Sequence, residues 1–220
     1  VRETASLPLV SVVGLPVMYQ GKLYNCGAVV FGGNILGIVP KANIPNYTEF
    51  YEGRYFTPYD VTAGAADTPL LYIAEDGESV AVPFGALLFE CFRYPGFTFG
   101  VEICEDLWVG NTPSVLLCRE GASVICNLSA SNEIIGKKEY RRTIISAKSG
   151  SNACAYIYAD AGEGESTTDV VYAGHKIICE NGSVLSESAL FGDVLIFSDI
   201  DIARLTHERR RMNTFIGKGD

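Results

Sequence analysis

FTFGVEICEDLWVGNTPSVLLCREGASVICNLSASNEIIGKKEYRRTIISAKSGSNACAYIY, residues 97–158, alternates short apolar runs with helical stretches. FTFGVEI reads as a buried strand and TPSVLLCREG as a helix closed by Gly121. ASVICNLS is the next strand, KKEYRRTIISAKSGSN an amphipathic helix, and ACAYIYA a third strand. Short buried strands separated by helices predict α/β layering, because each helix covers a sheet face that would otherwise meet water.

On both sides of this middle the pattern returns to hairpins. LPLVSVVGLPV, KLYNCGAVVF and ILGIVP read as three strands joined by turns at Gln20–Gly21 and Gly32–Gly33–Asn34. A loop rich in aromatic and polar residues runs from Lys41 to about Asp67, and LLYIA and SVAVPF flank a turn at Glu75–Asp76–Gly77. The last third reads as strands DVVYAGHKIIC, SVLSES and DVLIFSDID, with Asn181–Gly182 as a strong hairpin signal between the first two. No repeat, low-complexity segment or linker interrupts the chain, so a single domain over 1–220 is expected. The chain begins at Val1 and leaves through the charged helix IARLTHERRRMNTF. Both ends are expected to be cut from something longer.

With 220 residues, 48% of them hydrophobic and 20% charged, the chain can bury a sizeable core. A net charge of −9 argues against nucleic acid and anionic membrane surfaces as partners. No apolar stretch reaches membrane-spanning length before Gly or Pro breaks it. The seven cysteines form no C-x-x-C pair, which suggests neither a zinc site nor a redox pair, and their apolar flanks suit a reducing cytoplasm.

Six of those cysteines sit inside apolar runs and read as packing residues. Cys104 differs. It ends the strand FTFGVEI and is followed at once by Glu105 and Asp106, a placement that lifts a nucleophile to the rim of a pocket. Adjacent carboxylates disfavour a thiolate, so activation requires a cation or base. Neither His175 nor His207 has a cysteine-protease context, which points to lysines and carboxylates instead. Lys41, closing ILGIVP, reads either as a solvated strand end or as a pocket lysine able to stabilise an oxyanion. The loop ANIPNYTEFYEGRYF can be a surface loop pinned by its rings or a pocket wall. Ser129, Ser131 and Asn132 follow a strand's C-terminal end, where they can cap the next helix or hold a polar substrate with Lys137. GEGESTTD lacks the Gly-Lys-Ser/Thr ending of a phosphate loop and reads as a tight loop of unknown role.

GLPV, LYNCGAVV, VPKANIPNYTEFYEGRYF, GVEICEDLW, NLSASNEIIGKKEYRR and AGEGESTTDVVYAGHKIICENGSVLSES together resemble the glutamine-amidotransferase domains of glutamine-dependent NAD+ synthetases, a branch of the nitrilase (carbon–nitrogen hydrolase) superfamily. The resemblance spans nearly the whole chain, to DIDIARLTHERRR. It implies a nitrilase-like αββα four-layer sandwich, here truncated at the N-terminus, and a Glu–Lys–Cys triad. Cys104 matches the nucleophile, Lys41 the lysine and Glu52 the second glutamate of that site. Tyr47, Ser131 and Lys137 match residues that hold glutamine, and Glu105 matches a substrate-side position whose backbone N–H serves the oxyanion. The general-base glutamate, in a proline–glutamate motif before the GLPV strand, has no counterpart here, since Glu3 lacks that context.

The resemblance further implies L-glutamine as substrate, a cysteine thioester, and ammonia delivered to a synthetase domain that amidates nicotinic acid adenine dinucleotide. No cofactor or metal is expected in this domain; ATP and magnesium belong to the synthetase domain. A homo-oligomer is also implied. Two other readings stay open at this point: a stand-alone amidase on another small substrate, which the EFYEGRYF and GEGESTTD loops disfavour, and a non-catalytic interaction domain.

Overall fold

In the computed structural model residues 1–215 are described, and the backbone divides into two units, Val1–Leu87 and Leu88–Asp220. Ile216 to Asp220 lie outside the described residues, as does the end of the expected domain over 1–220.

In the first unit, β1 (Ser11–Tyr19), β2 (Lys22–Phe31) and β3 (Asn34–Pro40) form an antiparallel meander in the order β1-β2-β3. The turn at Gln20–Gly21 is the one expected, the second is tighter than expected because Asn34 already pairs with Phe31, and the register pairs Ser11 with Val30 and Cys26 with Pro40. β4 (Leu70–Ile73) and β5 (Ser79–Val82) make the predicted second hairpin. Val17, Tyr19, Tyr24, Cys26, Ile38, Val82 and Phe84 close a core in which the Tyr19 ring stacks on Phe84 at 4.1 Å. Burying large apolar side chains of this kind stabilises by about 1.5–3 kcal/mol each.

The second unit carries the decisive alternation. β6 (Leu88–Glu90), β7 (Thr98–Ile103), β8 (Val124–Ser129), β9 (Ala155–Asp160), β10 (Lys176–Glu180) and β11 (Ser183–Glu187) form one sheet in the order β11-β10-β9-β8-β7-β6. β7, β8 and β9 are parallel; the outer pairs are antiparallel. α1 (Pro113–Arg119) links β7 to β8, and α2 (Lys137–Ser151) links β8 to β9. These are the two crossovers that parallel strands require. α1 begins with proline at its first turn and closes where Gly121 and Ala122 return hydrogen bonds to Cys118 and Leu117. It lies close on β7 because residue 100 is glycine: a Cβ there would come within 2.9 Å of Leu117. α2 turns Arg141, Ile145 and Ser149 inward, one residue per turn. α3 (Ile202–Arg211) follows, capped by Asp201, whose side chain accepts the Arg204 N–H.

Three sequence expectations change. DVLIFSDID forms no strand: the sheet ends at β11, and an alternating run without a neighbouring ladder has nothing to pair with. DVVYAGHKIIC shortens to β10, because Gly174 turns at φ +62° and donates its N–H to Ala161. β6 was not anticipated; three residues are too few for a periodicity to register.

Candidate active site

Cys104 stands where β7 stops. Its φ is +48°, in the left-handed region that non-glycine residues seldom occupy, and it opens a single 3-10 turn, Cys104–Leu107. Holding a side chain there costs on the order of 1–3 kcal/mol and is met chiefly where function demands a particular direction. Buried Asp106 pins the turn by accepting the Ile103 N–H at 2.9 Å, and Trp108 N–H closes it on the Glu105 carbonyl at 2.9 Å. Cys104 is buried and Glu105 half-buried.

The other cysteines behave as packing residues where their state is resolved. Burial pushes the thiols of Cys26 and Cys126 up to about 12 and that of Cys179 to about 11. Cys154, beside Cys118, is raised as well, through its hydrogen bond to Cys118 and then burial. Protonated thiols of this kind are poor nucleophiles. Cys104 is also the one cysteine with positive φ among the described residues.

Parallel pairing assembles the rest of this edge. Ile103 is level with Leu128, and Ser129 with Asp160, so Cys104, the loop after β8 and the end of β9 gather at the C-terminal rim of three adjacent strands. There the N–H of Ser131 donates to Asp160 Oδ1 at 2.8 Å, while Ser131 Oγ is buried without a partner. Lys137, at the start of α2, donates to Asn132 Oδ1 at 2.5 Å, and its ammonium lies 5.6 Å from the Trp108 ring centroid. Trp108 in turn stacks on Tyr140. Cys104, Ser131 and Lys137 thus come to one edge, with Trp108 and Asn132 fixing the lysine.

In the first unit the structure removes one of the two readings of Lys41. It is 1% exposed, so it is not a solvated strand end. Its Nζ donates to both oxygens of Glu52, at 2.9 and 2.8 Å, and Asn25 Nδ2 approaches Glu52 Oε2 at 3.5 Å. Lys41 N–H is tied to the Asn25 carbonyl at 2.8 Å. A buried ammonium held by a single carboxylate is fixed in direction, as an electrostatic donor must be. Tyr47 sits half exposed on the same loop, its ring edge-on to Phe50.

Two buried carboxylates escaped the sequence reading. Glu102, two residues before Cys104, accepts the Ser114 N–H at 2.8 Å and the Tyr156 hydroxyl. Burial raises it to about 7; the bonds from Tyr156 and Ser114 oppose that, and neighbouring Asp106 adds to it. Asp160 is raised by burial to about 6, against the bonds from Ser131 and Ala161 and the charges of Arg141 and Lys137. The available signal was a charge inside an apolar strand, TFGVEI, and another closing YIYAD. No group of three or more His, Cys, Asp or Glu among the described residues could hold a metal ion. No described helix is long and apolar enough to cross a membrane.

Comparison with known proteins shows the family and the fold. Residues 5–210 match the family described as carbon-nitrogen hydrolase. The chain is 43% identical over 218 residues to the glutamine-dependent NAD(+) synthetase of Mycobacterium tuberculosis, covering 98% of this chain and 31% of that protein. It therefore spans about a third of the length of that relative. A glutamine-dependent NAD+ synthetase structure from Acinetobacter baumannii superposes with a TM-score of 0.68 at 25% identity, over 86% of this chain and 31% of that one. A carbon-nitrogen hydrolase from Helicobacter pylori superposes with a TM-score of 0.70 at 19% identity, over 94% and 67%. The mixed α/β architecture is thus the nitrilase-like fold that the sequence resemblance implied.

Proposed function

The chain belongs to the carbon–nitrogen hydrolase family, and from that premise we propose that it is a glutaminase in which Cys104 attacks the side-chain amide of L-glutamine. The observation that carries this reading is the left-handed Cys104 at the head of a 3-10 turn, on the rim of three parallel strands. That geometry presents one thiol out of seven.

In the proposed reaction a general-base carboxylate, which the resemblance assigns to a glutamate upstream of the GLPV strand, takes the thiol proton. The sulfur attacks the amide carbon, and the resemblance assigns stabilisation of the tetrahedral oxyanion to the Lys41 ammonium and the Glu105 N–H. The proton passes to the leaving nitrogen, ammonia departs, and a thioester remains on Cys104. Water, deprotonated by the same base, hydrolyses it to glutamate. Glu52 holds Lys41 in direction. Ser131, Lys137 and Tyr47 are the proposed contacts for the polar head of the amino acid.

The mycobacterial and Acinetobacter relatives support a larger role. Ammonia released here would amidate nicotinic acid adenine dinucleotide in a synthetase domain, where ATP and magnesium would bind; this domain would need no cofactor. We place the protein in the cytoplasm, on cysteines whose apolar flanks suit a reducing compartment, and take it to be a homo-oligomer. Cys104→Ala in the intact protein should abolish glutamine-driven amidation and leave ammonia-driven amidation. Loss of both activities, or survival of the glutamine-driven one, would remove Cys104 from this role.

A further inference from the structure

Ser131 is 2% exposed, and its hydroxyl meets no partner. An unpaired buried hydroxyl costs about 1–3 kcal/mol, so a fold keeps one where a ligand completes it. Buried charged side chains surround it. Asp160 Oδ1 holds the Ser131 N–H, and Asp160 Oδ2 faces Arg141 Nη2 at 3.7 Å, both side chains being fully buried. Arg141 Nη1 donates to Glu133 Oε2 at 3.0 Å. Arg141 therefore hydrogen-bonds the Ser131 loop through Glu133, two residues along the chain, and meets Asp160 only as an opposite charge, since Nη2 and Asp160 Oδ2 are both buried without a hydrogen bond.

Behind it, Arg141 Nη1 lies 3.0 Å from His175 Nδ1. A guanidinium offers only donors, so Nδ1 must accept, and the ring proton is on Nε2. Nε2–H then donates to Glu187 Oε1 at 3.0 Å, and Glu187 Oε2 accepts from Arg142 Nε at 2.9 Å. Burial, chiefly, holds His175 below its ordinary value, in keeping with a neutral ring. Buried ion pairs add little net stability over apolar packing; what they supply is direction.

We propose that the chain Glu187–His175–Arg141–Asp160 is a positioning relay that holds the Ser131 hydroxyl open for the polar head group of an α-amino acid substrate. It rests on the glutaminase reading above and deepens it. His175 touches no reacting atom and acts through Arg141.

The test is steady-state glutamine hydrolysis by the intact protein carrying His175→Leu, His175→Gln, Ser131→Ala, or Ser131→Ala with His175→Leu. His175→Leu should raise the KM for glutamine about tenfold and leave kcat within about twofold. His175→Gln should restore KM, since an amide oxygen can accept from Arg141 while its NH2 donates to Glu187. In the double variant the KM should match that of Ser131→Ala alone. An unchanged KM in His175→Leu, a fall in kcat alone, no rescue by glutamine, or multiplying effects would overturn the relay. Should His175→Leu not fold, Glu187→Ala at the sheet edge removes the same support and must raise KM; an unchanged KM there is equally decisive. Turnover that survives Cys104→Ala refutes the glutaminase reading itself, whereas Cys104-dependent turnover insensitive to these variants refutes only the relay.

Discussion

Replacing Glu102 by glutamine should make the protein more stable at neutral pH and less stable in acid. Glu102 is fully buried two residues before the nucleophile, and its carboxyl is raised from 4.5 to about 7. Between those values the unfolded chain has released the proton while the folded chain keeps it. The folded state then binds more protons, and stability falls as pH rises. The penalty is absent below about pH 4.5 and complete above about pH 7. At about 1.36 kcal/mol per pH unit it amounts to roughly 3 kcal/mol. Glutamine has no such penalty but serves the Ser114 N–H and the Tyr156 hydroxyl less well, a loss of about 1 kcal/mol. The wild type should therefore lead by about 1 kcal/mol below pH 4.5, and the variant by about 2 kcal/mol above pH 7. Urea unfolding followed by the fluorescence of Trp108, the single tryptophan and a neighbour of this strand, measures both. Between about pH 5.5 and 8 the difference should move by about 2 kcal/mol in the variant's favour. Two stability curves that stay parallel over this range would refute a buried, reluctantly ionised Glu102.

Lys41→Ala should lower single-turnover ammonia release from glutamine by about 10²–10³-fold, the usual loss for one oxyanion donor; near-normal rates would take Lys41 out of the mechanism. Cys104→Gly should be more stable than Cys104→Ala by about 1 kcal/mol, because only glycine accepts φ +48° without strain; equal midpoints in urea would show that the turn holds no strain.

Part of the candidate site is legible in the sequence. Cys104 was visible because an apolar strand ended against two carboxylates, and Ser131 and Lys137 because a polar turn followed the next strand. Lys41 was ambiguous: a lysine after a strand looks the same in sequence whether it meets solvent or Glu52. The pair is 11 residues apart across a loop without repeating pattern, so no periodicity links them. Arg141 was harder still. On α2 it shares a run with Lys137, Lys138 and Arg142, and residue type alone does not separate the buried arginine from its less buried neighbours.

Local rules sufficed for the turns, for the helices with their proline and glycine ends, and for the alternation that makes β7, α1, β8, α2 and β9. Each depends on a few consecutive residues and on backbone sterics, which the chain carries with it wherever it goes. The buried charges depend on partners brought from elsewhere. Glu102 meets Tyr156 from 54 positions away, and Arg141 meets His175 from 34. Whether a carboxylate sits near 4 or near 7, and which nitrogen of a histidine holds its proton, follow from the water excluded and the donors facing it. Those are properties of the packed sheet, so the chemistry of this edge was decided only when the strands came together.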